Sequence, residues 1–80
     1  MATKRILWAD DEIELLKPHI LFLQDRGFDV QAVTNGRDAI REVMRERYDA
    51  LLLDEQMAGL DGIATLKRVK QIQPGLPVVM

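Results

Sequence analysis

The 80-residue sequence predicts an α/β fold, a parallel sheet with helices on both faces. Three observations carry this. Ile6-Leu7-Trp8-Ala9 and Ala50-Leu51-Leu52-Leu53 are unbroken apolar runs rather than alternating ones. Such runs fit strands buried on both sides. Segments of helical period separate the strand-like runs, with short connections and no Asn-Gly between two strands. That order implies right-handed crossovers and parallel pairing. Both runs also stop abruptly at carboxylates, Asp10-Asp11-Glu12 and Asp54-Glu55. In sheets of this kind, ligands gather just beyond the carboxyl ends of the strands.

In chain order, residues 4–9 form the first strand. A helix is expected from Glu12 to Arg26, capped by Asp10 or Asp11, with Ile13, Leu16, Ile20 and Leu23 on its buried side. Pro18 falls inside it, removes the bond to the Glu14 carbonyl, and should cost about 3 kcal/mol or bend the helix near its start. Gly27 is the stop. Phe28–Val33 is the second strand. Asn35 caps a helix from Gly36 to Arg47, with Asp38 completing a weak capping box and Ala39, Ile40, Val43 and Met44 on one side. Residues 50–53 are the third strand. Asp61 caps a third helix whose stripe is Ile63, Leu66, Val69 and Ile72. Pro74-Gly75 ends it, and Leu76–Met80 opens a fourth strand. The chain stops inside that strand, so a piece of a larger domain is expected.

Composition narrows the function. An apolar content of 48% is that of a folded domain. The net charge of −2 and the lack of a dense Lys/Arg cluster argue against a nucleic-acid surface. With no cysteine, disulfides and thiolate metal sites are excluded. No apolar run approaches the ~20 residues that cross a bilayer, and the N-terminus does not read as a signal peptide. A cytoplasmic protein follows as the expectation.

If the first and third strands are neighbours, Asp10, Asp11 and Asp54 face one crevice. Like charges that close demand a cation or raise one another's pKa. An all-oxygen set without His or Cys selects Mg²⁺ or Mn²⁺ over Zn²⁺. A cation so held keeps open positions for phosphate oxygens, and the loop would lend a backbone carbonyl. Asp54, ionised at neutral pH, can then attack phosphorus and form an aspartyl phosphate. Each feature alone has a plainer reading: Asp10-Asp11 as a helix cap, Asp54 as a turn residue before Gly59. The two together favour the metal site. His19 reads as a surface or packing residue, Trp8 and Met57 as packing, and Glu12 and Glu55 as solvated. Arg41, Arg45 and Arg47 read as a solvated helix face. Gly59, Asp61 and Gly62 read as a tight turn, a cap and a close approach.

Asp10-Asp11-Glu12, Asp54 after three leucines, and Met57-Ala58-Gly59-Leu60-Asp61-Gly62 together resemble the receiver domain of two-component response regulators, over all 80 residues. The resemblance implies a flavodoxin-like doubly wound parallel sheet of order 2-1-3-4(-5), here a partial receiver over residues 1–80 without its last α-β-α. It implies a signalling domain rather than an enzyme, with Asp54 as phosphoacceptor from a sensor histidine kinase or phosphotransfer protein. It also implies Mg²⁺ at Asp11, Asp54 and the Gln56 carbonyl with Asp10 assisting, and an output domain that the signal switches. The surroundings of the site look most like receivers joined to a phosphatase-like output domain in type-IX-secretion regulators.

Ala58 stands where the family has proline, which should loosen the loop. The family's fourth-strand Ser/Thr and fifth-strand Lys have no counterpart here, and Lys4, Lys17, Lys67 and Lys70 do not fall at crevice positions. An open fourth-strand edge predicts self-association. Two other readings compete. A Mg²⁺-dependent phosphohydrolase with an Asp nucleophile wants Asp-x-Asp, which Asp54-Glu55-Gln56 lacks. An interaction-only pseudo-receiver is at odds with intact Asp10, Asp11 and Asp54. A dinucleotide site fails for want of Gly-x-Gly-x-x-Gly after the first strand.

Overall fold

A computed structural model describes residues 3–57 and 61–80. Strands β1 (Arg5–Ala9), β2 (Asp29–Val33), β3 (Ala50–Leu53) and β4 (Val78–Val79) form one parallel sheet in the order β2-β1-β3-β4. Helices α1 (Lys17–Asp25), α2 (Gly36–Arg45) and α3 (Gly62–Ile72) make the crossovers. The predicted fold class and strand order are those observed.

Side chains alternate along each strand. Leu7, Ala9, Leu51 and Leu53 therefore share one face, where they pack with Ala39 and Val43 of α2 and Val69 of α3 in a single core. Trp8 and its register partner Leu52 point to the other face and are only half-buried. Helix α1 buries no residue fully, and Phe22 is 55% exposed.

The first helix departs from expectation. Residues Ile13–Leu16 form a 3₁₀ turn, and the regular helix starts at Lys17 with Pro18 in its first turn. A first-turn residue has no intrahelical N–H bond to lose, so the proline costs nothing there and favours that start. Neither Asp10 nor Asp11 caps it: Glu12 precedes the 3₁₀ turn and Leu16 precedes α1, both without a side-chain cap bond. At the other end, Gly27 (φ +92°) closes the helix, with its amide on the Gln24 carbonyl and the Phe28 amide on the Leu23 carbonyl. This is a Schellman arrangement.

The caps of the other two helices are as expected. The Asp38 amide donates to Asn35 Oδ1 at 2.8 Å, and the Ala64 amide to Asp61 Oδ1 at 2.8 Å. Their buried faces differ in detail. Met44 is 65% exposed, while Ala39 and Val43 carry the α2 contact. On α3 the fully buried line is Gly62, Thr65 and Val69, and Ile63 is 49% exposed. Thr65 tolerates complete burial because its hydroxyl donates to the Asp61 carbonyl at 2.8 Å.

At the amino ends of the strands, Arg5 ties several elements together. Its amide donates to Asp49, its Nε to Asp29 of β2 and its Nη1 to Glu46 beyond α2. Its guanidinium lies 4.8 Å from the Tyr48 ring centre. The Tyr48 hydroxyl in turn donates to Glu42 at 2.7 Å.

Candidate functional site

Strands β1 and β3 are neighbours and end level, with Ala9 in register with Leu53. The Asp54 amide continues the ladder onto the Ala9 carbonyl at 3.0 Å, and the Asp10 amide reaches the Val33 carbonyl at 3.1 Å. Three carboxylates are therefore delivered to one edge by backbone geometry. One oxygen each from Asp10, Asp11 and Asp54 lies within 4.8 Å of the others. Asp10 and Asp54 are half-buried, and Asp11 is exposed.

The local bonds orient the two flanking carboxylates. Asp10 Oδ1 accepts from the Glu12 amide at 2.8 Å, and Asp54 Oδ1 accepts from the Gln56 amide at 3.3 Å. Each turn uses one carboxylate oxygen. Among the described residues no Lys or Arg forms a salt bridge with any of the three. Unit charges about 5 Å apart repel by about 1 kcal/mol in water, and by several times that at a partly shielded site. The cluster is thus set against itself unless a cation joins it. Its chemistry fits a hard, partly hydrated divalent cation: oxygen donors, solvent on one side, and no imidazole or thiolate. His19 is exposed on α1, away from the cluster.

An open crevice of about 1030 Å³ adjoins the cluster, lined in part by Asp11, Asp54, Glu55, Gln56, Met57 and Met80. Gln56, expected to lend its carbonyl, is thus on the crevice wall. Met57 is buried, in keeping with a packing role, and Glu55 is exposed. No lysine lines this crevice among the described residues. Trp8, two residues before Asp10, belongs to the opposite face of the sheet. The expected effects of Ala58 and Gly59 on the loop fall outside the described residues.

Gly62 and Met80 give the site a wall that the sequence reading did not assign in full. The Gly62 amide donates to the Glu55 carbonyl at 3.0 Å. A Cβ there would overlap the Asp54 carbonyl oxygen, come within 2.7 Å of Glu55 Cα and touch Met80 Cε. The predicted close approach of the third helix is therefore made against the segment that carries Asp54. Met80 gave no such signal, because its place beside Gly62 depends on how β4 lies next to β3.

The family model for the response regulator receiver domain matches residues 6–80. The chain belongs to the receiver family. Receivers are signalling domains of two-component response regulators, and this chain is one by fold and by family. The transcriptional regulatory protein ZraR of Escherichia coli (strain K12) is 37% identical over 75 residues, a match covering 94% of this receiver and 17% of ZraR. Among solved structures, the response regulator TrrA of Thermotoga maritima in complex with Mg²⁺-BeF superposes with a TM-score of 0.86 at 27% identity, over 94% of this receiver and 65% of that chain. TrrA has also been solved in complex with the histidine kinase ThkA. The receiver domain of the sensor histidine kinase PA1611 from Pseudomonas aeruginosa PAO1, which has a magnesium ion coordinated in its active site cleft, gives a TM-score of 0.88 at 28% identity, over 96% of this receiver and 65% of that chain.

Proposed function

We propose that Asp54 is the phosphoacceptor of this receiver. Asp10, Asp11, Asp54 and the Gln56 backbone carbonyl would hold Mg²⁺ beside it. The observation that carries this is the meeting of three carboxylates within 4.8 Å, uncompensated by any salt bridge among the described residues, at the ends of two adjacent strands. TrrA with Mg²⁺-BeF and the magnesium-bound PA1611 receiver support the choice of metal.

The donor is a phosphohistidine on a sensor histidine kinase or a phosphotransfer protein. The ThkA–TrrA complex supports that partner class. An Asp54 oxygen attacks phosphorus in line with the leaving nitrogen. The new O–P bond forms as the N–P bond breaks, and the imidazole keeps the electron pair. Bound Mg²⁺ would neutralise phosphoryl charge during transfer. The Gln56 amide holds one Asp54 oxygen at 3.3 Å, which leaves the second as the attacking atom.

Residues 1–80 act as a receiver that switches an output domain or a separate partner, in the cytoplasm. Among the described residues no helix is long and apolar enough to cross a membrane. Among the described residues β4 pairs with β3 alone and Val79 is 58% exposed, and self-association of the 80 residues through that edge is part of the same proposal.

The test is incubation with a small phosphoramidate donor and Mg²⁺, followed by reductive trapping of the acyl phosphate and peptide mass analysis. Trapped product at position 54, absent in Asp54→Asn and after chelation of Mg²⁺, is the expected result. A folded chain that gives product elsewhere, or none, would overturn the assignment of Asp54.

A further inference from the structure

The carboxylates of this chain fall into two groups. The ion pairs among the described residues all use Asp or Glu outside the crevice: Asp29 and Glu46 with Arg5, Glu14 with Lys17, Asp38 with Arg41, and Glu42 with Arg45. Within the crevice, five of the nine lining residues are acidic: Asp11, Glu12, Asp54, Glu55 and Asp61. None of these five is in an ion pair among the described residues. Asp11 and Asp54 belong to the cation cluster, and Asp61 caps α3 through the Ala64 amide. Glu12 and Glu55 remain without a role for their side chains. Each lends only backbone to the site, Glu12 its amide to Asp10 and Glu55 its carbonyl to Gly62, and both side chains are exposed.

A divalent cation at Asp10, Asp11 and Asp54 offsets charge on those three and leaves Glu12, Glu55 and Asp61 unbalanced. The opening through which a phosphoryl group arrives therefore stays anionic with the cation in place. Glu12 and Glu55 each follow a cluster carboxylate by one residue. Their charges act on the site across a distance comparable to the Debye length of about 10 Å at 0.1 M salt. A cleft lined by one sign of charge concentrates such a field and biases which ions enter it.

We propose that Glu12 and Glu55 determine donor specificity at Asp54. They hold off free dianionic phosphoryl donors and favour a donor with positive charge beside its phosphoryl group. This rests on Asp54 being the phosphoacceptor. Two small donors separate the effect of charge from the chemistry, because both react by one displacement. An Asp54 oxygen bonds to phosphorus as the bond to the leaving atom breaks, and the leaving group keeps the electron pair. From acetyl phosphate, a dianion, acetate leaves. From phosphoramidate, a monoanion whose nitrogen is already protonated, ammonia leaves. Glu12 and Glu55 touch no reacting atom in either case, and Glu→Gln at both positions keeps their size while removing the charge.

The test measures the rate of Asp54 phosphorylation by each donor at saturating Mg²⁺, at low and moderate salt, in the 80-residue chain and in Glu12→Gln/Glu55→Gln. At low salt the variant should react about tenfold faster with acetyl phosphate and about threefold faster or less with phosphoramidate. Added salt should speed the acetyl phosphate reaction of the wild type more than that of the variant. Glu14→Gln/Asp25→Asn removes the same charge from exposed positions outside the crevice and should change the ratio of the two rates by less than about 1.5-fold. Product in all three proteins with an unchanged ratio overturns the role of Glu12 and Glu55 and leaves Asp54 as the phosphoacceptor. Loss of reaction with both donors in a folded Glu12→Gln/Glu55→Gln protein also overturns it, because the two residues would then serve transfer itself. No product at position 54 of the wild type with either donor overturns the phosphoacceptor reading, and the specificity role with it.

Discussion

The amide of Gly62 donates to the Glu55 carbonyl at 3.0 Å, and the space where its Cβ would stand is filled by the Asp54 carbonyl oxygen and Glu55 Cα. The start of α3 is thereby pressed against the segment that presents Asp54. Gly62→Ala must push the two apart. A destabilisation of about 1–3 kcal/mol is expected in urea unfolding. Gly75→Ala, where a new Cβ meets nothing within 4 Å, should change stability by no more than about 1 kcal/mol. Equal effects at the two glycines would contradict the close approach.

Mutual repulsion in the cluster should cost the metal-free protein stability. Asp54→Asn removes one charge yet keeps an oxygen for the Gln56 amide, so it should raise the metal-free unfolding free energy by about 1 kcal/mol. Added Mg²⁺ should reverse the ranking, stabilising the wild type by about 1.4 kcal/mol at ten times the dissociation constant and the variant by less. Urea midpoints with Mg²⁺ and with chelator measure both effects.

Tyr48 predicts a pH dependence. Burial pushes its hydroxyl well above the ordinary tyrosine value, and the hydrogen bond to Glu42 raises it further. The group binds its proton more tightly folded than unfolded. Its contribution to stability is therefore complete below about pH 10, where the unfolded tyrosine titrates, and is lost as pH climbs from there toward the folded value. Tyr48→Phe should be less stable at neutral pH, through loss of the bond to Glu42, and should show a flatter alkaline limb. Stability measured from pH 8 to 11.5 would refute this if the two limbs ran parallel.

Among the described residues β4 pairs with β3 alone, and the proposed self-association through its other side is testable. Light scattering of the wild type should give a mass that rises with concentration. Val79→Lys, which places a charge on the exposed strand edge, should reduce that rise. A concentration-independent monomer would remove the edge from consideration.

Much of this was legible in the sequence, for identifiable reasons. The apolar run Ala50–Leu53 read as a strand, although its Leu52 face is only half-buried, and its end fixed where Asp54 would emerge. Asn35 and Asp61 carried their cap chemistry in their own side chains. The start of α1 was misread because apolar spacing runs smoothly from Ile13 to Leu23 and does not record that Ile13–Leu16 winds as a 3₁₀ turn. Thr65 was missed because its burial rests on a bond to the backbone of Asp61, and Ile63 was misplaced because contact at Gly62 sets the rotation of α3. Both are tertiary facts that periodicity does not encode.

The most direct test of the cation site is a Mg²⁺ titration followed by the fluorescence of Trp8, two residues before Asp10 on β1. The account predicts a saturable change in the wild type that is lost or strongly weakened in Asp54→Asn. A folded wild type in which calorimetry also finds no saturable Mg²⁺ binding, or a variant that binds as tightly, would contradict the claim that Asp10, Asp11 and Asp54 form one metal site.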